Sequence, residues 1–182
     1  MKKREGSADP GNAEWSAHDR SVRNDVAEKG YHLGLVPALE RSSGWAFSVG
    51  LPASSGHPEL ICFGPDVPFV GQLVQHLCEA VVAGRRFEED TPVEGILSER
   101  ALRLRPVDNK WLPTFLGNAA YFHDREDFPA LQCFWPDRSG LFPWQAGFDS
   151  DWREAQPLLF EALTHKALPE TLVAALIGEG AL

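Results

Sequence analysis

The chain has 182 residues, of which 43% are hydrophobic, and this length and composition predict one folded domain with a sizeable core. Its formal net charge of -9 argues against nucleic acid as a partner, because a protein that binds phosphate backbones needs a basic face. No stretch approaches the roughly 20 apolar residues that span a bilayer and no signal peptide is recognisable, so we expect no membrane partner and a cytoplasmic location.

The N-terminal part of the chain is predicted to contain little regular structure before a hairpin. Residues 1–20 predict a disordered arm, because they are polar and lack a hydrophobic period. A short helix is expected from Ser21 to Glu28, with Gly30 ending it. Two β-prone runs follow, Tyr31 to Leu39 and Trp45 to Leu51, and the short connection between them predicts a β-hairpin.

The second of these runs alternates large and small side chains. Trp45, Phe47, Val49 and Leu51 are bulky and apolar, whereas the three residues between them are Ala, Ser and Gly. A period of two places the bulky groups on one face of a strand and leaves the other face open to close approach. The segment 52–58 predicts a turn, and the apolar run Leu60 to Phe63 then predicts a central strand.

The clearest helix signal lies between Asp66, a helix-capping residue, and Gly84. Its apolar positions recur at helical spacing: Val70, Leu73, Val74, Leu77, Cys78 and Val81. Further on, the alternation over 102–107 predicts a strand, Asn109 is expected to cap a helix over Trp111 to Phe122, and Leu131 to Trp135 predicts another strand. The three cysteines lie in apolar surroundings and are expected to be reduced and buried.

The composition changes after Trp144. Two short amphipathic helices are predicted, Pro157 to Ala167 and Pro169 to Ile177, in a C-terminal extension of residues 149–182 that packs on the domain or on a partner. The order of elements predicts an α+β fold. We expect a single domain, residues 21–148, with a mainly antiparallel sheet flanked by helices.

Two dense blocks, residues 45–64 and 128–144, concentrate Trp, Phe, Pro and Gly. They contain the segments FSVGL (47–51), GHPEL (56–60), PALQ (129–132), WPD (135–137) and GLFPW (140–144). On these segments, and on their order, the chain resembles the bacterial family called domain of unknown function 4262 (DUF4262), over roughly Tyr31 to Phe148. The resemblance implies one compact domain in which the two blocks lie near each other, and it carries over no catalytic residue.

The first functional hypothesis is a binding domain for a small molecule or peptide. Flat aromatic walls with a few polar groups are typical of such pockets. The predicted lining is drawn from both blocks: His57, Glu59, Gln132, Trp135, Asp137 and Trp144. The alternative for Asp137 is an ordinary turn, because Asp before a Gly-containing segment often bonds to its own backbone.

The second hypothesis is an enzyme in which His57 acts as general base and Glu59 or Asp137 orients it. Against it stands the simpler interpretation, in which the His57 imidazole bonds a nearby backbone carbonyl and Glu59 faces solvent. No motif of a common hydrolase, metalloprotease or nucleotide-binding protein is present. No motif identifies a cofactor either, and a flavin is a remote alternative without a motif to support it.

The third hypothesis is an interaction module that uses the C-terminal helices to bind a protein partner or a second copy as a homodimer. It requires Leu172, Val173 and Leu176 to be exposed on the isolated chain. The acidic run His123 to Asp127 contains ligand types that suit a divalent cation, but a charge run after a helix is generally solvated, and we predict no metal site there.

Overall fold

A five-stranded mixed sheet organises the computed structural model, which describes residues 16–38, 42–162 and 168–178. The strands are β1 (His32–Val36), β2 (Gly44–Val49), β3 (Glu59–Gly64), β4 (Arg103–Pro106) and β5 (Ala130–Phe134), in the spatial order β1-β2-β3-β5-β4. Only β3 and β5 are parallel; the other neighbouring pairs are antiparallel. The predicted α+β fold with a mainly antiparallel sheet is therefore confirmed.

Helices cover both faces of this sheet. They are α1 (Ala17–Lys29), α2 (Leu51–Ser55), α3 (Val67–Val82), α4 (Leu112–Phe115), α5 (Gly117–His123), α6 (Ser150–Arg153) and α7 (Glu170–Gly178), with a 3-10 turn at Asn109–Trp111. In the described part of the chain, no helix is both long and apolar enough to cross a membrane.

The alternation in β2 explains how the two layers divide. Trp45, Phe47 and Val49 belong to the core that β2 shares with α4, α5 and α7. Ala46 lies in the second core, under α3. The element that approaches the small-residue face is therefore α3, which begins at the Asp66 cap as predicted and ends at Val82.

Two predicted boundaries near the N-terminus differ from the structure. Helix α1 begins at Ala17 and so includes residues 17–20, which the sequence assigned to the arm; residues 1–15 lie outside the described chain. The Ser16 hydroxyl accepts from the Asp19 N–H while the Asp19 carboxylate accepts from the Ser16 N–H, and this capping box fixes the start. The predicted turn after β2 is also helical, because Gly50 and Pro52 begin α2.

The predicted helix over 111–122 is divided into three pieces. Asp108, not Asn109, caps the first piece by accepting from the Lys110 N–H. Leu116 has non-helical backbone angles and separates α4 from α5. The break at Leu116 changes the direction of the chain, and α5 ends at His123, beside Glu59, the first residue of β3.

The C-terminal extension completes the core on the face opposite α3. Four leucines of this extension are buried in the core beside α4 and α5: Leu159, Leu168, Leu172 and Leu176. The predicted second helix is present as α7, whereas residues 157–162 are not helical and residues 163–167 lie outside the described chain. The reason is a contact with a residue distant in the sequence. The Gln132 side chain on β5 bonds the Pro157 carbonyl and the Leu159 N–H, so these backbone groups do not bond within a helix.

Candidate functional site

A fully buried carboxylate, Glu59, lies at the start of the central strand β3. It accepts three hydrogen bonds: from the Ser48 hydroxyl (2.5 Å), from the Gly50 N–H (2.6 Å) and from His123 Nε2 (2.7 Å). Donors of the protein occupy both carboxylate oxygens, and the residue has no exposed surface. The expectation that Glu59 faces solvent is therefore wrong.

Strand β2 and the turn after it place two of these donors. The Leu60 N–H donates to the Ser48 oxygen (2.8 Å), which leaves the Ser48 hydrogen for Glu59. Gly50 has φ 103°, and a Cβ there would lie 2.6 Å from a methyl group of Val26. Only glycine fits this position, because the backbone is left-handed and α1 packs directly against it.

Helix α5 supplies the third donor. His123 is the last residue of α5, and its ring contacts the rings of Phe122 and Phe128, each with a centroid distance of 5.2 Å. Its side chain is 9% exposed. The Nε2 atom is used by Glu59, and Nδ1 makes no hydrogen bond to a residue that the structure describes. Among the described residues, Nδ1 is therefore the ring nitrogen without a hydrogen-bond partner.

The polar chain continues to the opposite face of the sheet. The Cys78 thiol on α3 lies beside the Ser48 hydroxyl, and burial raises the pKa of this thiol well above its usual range. The contact with Cys133 and burial likewise raise the pKa of Cys62. All three cysteines are buried and free, as predicted, and a thiol with a raised pKa is a poor nucleophile.

His57 has the simpler of its two predicted roles. Its Nδ1 donates to the Pro58 carbonyl (2.8 Å) and its Nε2 accepts from the Phe87 N–H (3.3 Å), so the ring is held as a neutral tautomer. The side chain is 1% exposed. Burial lowers the pKa of His57 below its ordinary value of 6.5, and the Arg86 charge lowers it further. Both nitrogens are occupied by the backbone, and neither bonds to Glu59.

The lowered pKa of His57 predicts a pH-dependent stability. The unfolded chain binds a proton as the pH falls through 6.5 and the folded chain does not, so the free energy of unfolding decreases below that pH, by at most about 1.4 kcal/mol per pH unit for one proton. We expect His57→Gln to weaken this dependence, measured by urea unfolding at neutral and mildly acidic pH. The exposed His76 supplies the control, and a His76→Gln variant with the same loss would contradict the assignment.

The other polar residues of the predicted pocket bind the backbone of neighbouring loops. Gln132 is fully buried and clamps residues 157 and 159, as described above. Asp137 accepts from the N–H groups of Ser139, Leu141 and Asp149. Burial would raise the pKa of Asp137, but these three N–H donors outweigh it and lower the pKa. Asp137 therefore has the turn-forming role that the sequence left open.

The aromatic residues of the second block pack against the end of β3, against α6 and against one another. Trp135 donates from Nε1 to the Phe63 carbonyl (2.8 Å). Trp144 stacks on Phe142 at 5.3 Å and carries the Arg105 guanidinium at 5.1 Å from its ring centroid. Through these contacts, the two indoles fix the loop after β5 against the sheet.

The structure places the six predicted residues in two groups. Strands β3 and β5 are parallel with Glu59 opposite Ala130, so Glu59 and His57 lie at the beginning of this pair. The other group follows the last residue of β5 and contains Trp135, Asp137 and Trp144. The two groups are separated by the length of β5, about 13 Å at roughly 3.3 Å per residue. Gln132 lies between the two groups. The dense blocks pair as neighbouring strands, but their loops are at opposite ends of the sheet.

Sequence reasoning did not connect Glu59 with His123, which is 64 residues away. One signal was present in the sequence. Glu59, Ile61 and Phe63 are two residues apart, so in a strand their side chains lie on the same face, and this places a carboxylate among core residues. Such a carboxylate needs a donor from another element. Among the described residues, no group of three or more His, Cys, Asp or Glu side chains is arranged to hold a metal ion.

Comparison with known proteins gives one match. The family model described as "Domain of unknown function (DUF4262)" matches residues 25–149. This range contains β1 to β5, the Glu59 and His123 pair and both dense blocks. No curated protein and no solved structure matches the chain.

Proposed function

Since the chain belongs to the DUF4262 family, whose function is unknown, we propose a function from its site: the domain binds a small molecule and exchanges a proton with it through His123. One observation supports this proposal, the 2.7 Å hydrogen bond that joins the buried Glu59 carboxylate to Nε2 of a partly exposed imidazole. Of the two predicted orienting carboxylates, Glu59 and Asp137, the proposal keeps Glu59, and it makes His123 the base in place of His57.

The hydrogen bond to Glu59 defines what His123 can do. A carboxylate can only accept, so Nε2 carries the hydrogen and the lone pair of a neutral ring is on Nδ1. When Nδ1 takes a proton from a hydroxyl or amine of the ligand, the resulting imidazolium faces the Glu59 anion directly. An orienting carboxylate that also stabilises the imidazolium is the arrangement used by many general bases.

The surroundings keep this pair in place. Ser48 and Gly50 hold the carboxylate from the side of β2, and Phe122 and Phe128 hold the ring from the side of α5. Because the carboxylate is inaccessible to water, its attraction for a developing imidazolium is screened less than at the surface. The proton-accepting atom therefore belongs to a group with a fixed orientation.

The proposal predicts opposite tautomers for two histidines. In a long-range ¹H–¹⁵N NMR spectrum at neutral pH, we expect His123 to be protonated at Nε2 alone and His57 at Nδ1 alone. The Glu59→Gln variant should move the His123 signals and leave those of His57 in place. A doubly protonated His123 ring at neutral pH would mean a permanent ion pair with no lone pair to offer, and would refute the base role.

A ligand screen by the same NMR signals tests the binding half of the proposal. Compounds that bind at the site should shift the His123 resonances and bind His123→Gln at least about tenfold more weakly. Where a compound is turned over, the loss in rate should reach about 10²–10⁴-fold. His76→Gln is the matched control, and hits that bind both variants equally would place the ligand elsewhere.

A further inference from the structure

Strand β1 itself carries no charge or proline, and α1 packs beside it through the hydrogen bond between Asp25 and His32. In the described part of the chain, β1 is at the end of the sheet and pairs with β2 alone. Its five residues, His32–Val36, contain no Asp, Glu, Lys, Arg or Pro. Edge strands of monomeric proteins are commonly blunted by charges, prolines or bulges, because their free backbone groups pair readily with another strand.

A protruding side chain and a groove lie next to each other on this edge. Leu35 is 52% exposed, and its side chain lies against α3, 3.0 Å from where a Cβ of Gly71 would be. Two residues earlier, Leu33 lines a groove of about 660 Å³ between β1, α1 and α3. The groove also includes the apolar side chains of Tyr31 and Val82, and its rim is polar: Asp25, Lys29, Gln75 and Glu79.

A two-fold axis through Gly34 brings the protruding residue of one copy to the groove of another. In an antiparallel pair centred on Gly34, Leu33 lies opposite Leu35 of the second copy, at the roughly 4.5–5.5 Å Cα separation of paired strands. Both leucines are on the α3 side of the strand, since side chains two residues apart share a face. The same contact forms twice, which is the property of an interface between identical chains.

We propose that the chain forms a homodimer in which β1 pairs antiparallel with β1 of a second copy, with Leu35 of each copy in the groove of the other. The two five-stranded sheets join into one continuous sheet. The apolar centre with a polar rim matches the usual anatomy of a protein interface. The surface is on the sheet edge, and not on the C-terminal helix as the sequence suggested: Leu172 and Leu176 are buried in the core.

Sedimentation velocity on the full chain tests this assembly. At about 100 µM, where a dimer of micromolar affinity is nearly complete, the mass should be twice the 20.1 kDa of one chain. Leu35→Glu places a charge in the interface and should give the mass of one chain, with the circular dichroism spectrum unchanged because this side chain is half exposed. Ile177→Glu, at a 60% exposed position on α7, should remain a dimer.

Three outcomes would overturn the proposal. The first is a wild-type chain that sediments as a monomer at this concentration. The second is a dimer that survives Leu35→Glu, which would place the interface elsewhere, and on α7 if Ile177→Glu dissociates it. The third is a monomer that dimerises only when residues 1–15 are deleted, which would show that the N-terminal segment of the same chain occupies the edge of β1.

Discussion

Replacement of Glu59 by leucine is expected to lower the free energy of unfolding by about 3–5 kcal/mol, the usual loss when one member of a buried polar network is removed. Leucine has a similar volume, so the effect comes from the donors left behind. The Gly50 N–H and His123 Nε2 lose their hydrogen-bond acceptor, and leucine supplies no atom that could accept in its place. Guanidinium unfolding followed by tryptophan fluorescence measures the change.

Two further variants separate the charge from the shape. Glu59→Gln keeps the shape but turns one acceptor into a donor that faces other donors, and we expect a smaller loss of about 1–3 kcal/mol. Glu79→Gln, on the exposed side of α3, should change stability by less than about 0.5 kcal/mol. If Glu59→Leu is as stable as the wild type, the carboxylate does not hold β2, β3 and α5 together as described.

Replacement of Gln132 by leucine is expected to cost about 2–5 kcal/mol and to release the C-terminal segment. The buried amide is the only described side chain that bonds both the Pro157 carbonyl (2.6 Å) and the Leu159 N–H (3.0 Å), and each group left unpaired in the core costs about 1–3 kcal/mol. Denaturation measures the stability. Limited proteolysis with mass spectrometry should show faster cleavage after residue 149.

The control for this prediction is Gln75→Leu, because Gln75 is exposed on α3 and, among the described residues, its side chain bonds to Glu79 alone. That variant should unfold and be cleaved like the wild type. Equal cleavage of the Gln132→Leu and wild-type chains would mean that apolar packing alone holds the segment on the sheet.

The sequence predicted the parts of the fold that depend on neighbours along the chain. The bulky-small alternation in β2, the apolar run of β3 and the helical period of α3 each reflect one element against one surface. The membership of the DUF4262 family was likewise recognised from local segments and is confirmed by the family model.

The errors concern interactions between distant residues. Residues 157–162 are amphipathic, but a single glutamine on β5 takes the backbone groups that a helix would need. His57 and Glu59 are separated by a single residue in the chain, yet their side chains have different partners, Phe87 and His123. Their proximity in sequence suggested that His57 and Glu59 bond to each other. Glu59 instead bonds to His123, because α5 ends beside the start of β3. Pairing of this kind depends on tertiary structure and has no local pattern.

The boundaries of the family match and of the folded core do not coincide. The match ends at residue 149, while Leu159, Leu168, Leu172 and Leu176 complete the core beside Trp111 and Phe115. The segment that matches the family is thus shorter than the segment that builds the hydrophobic core of this chain. Without the residues after 149, this chain would expose to water the apolar surface that Leu159, Leu172 and Leu176 now cover.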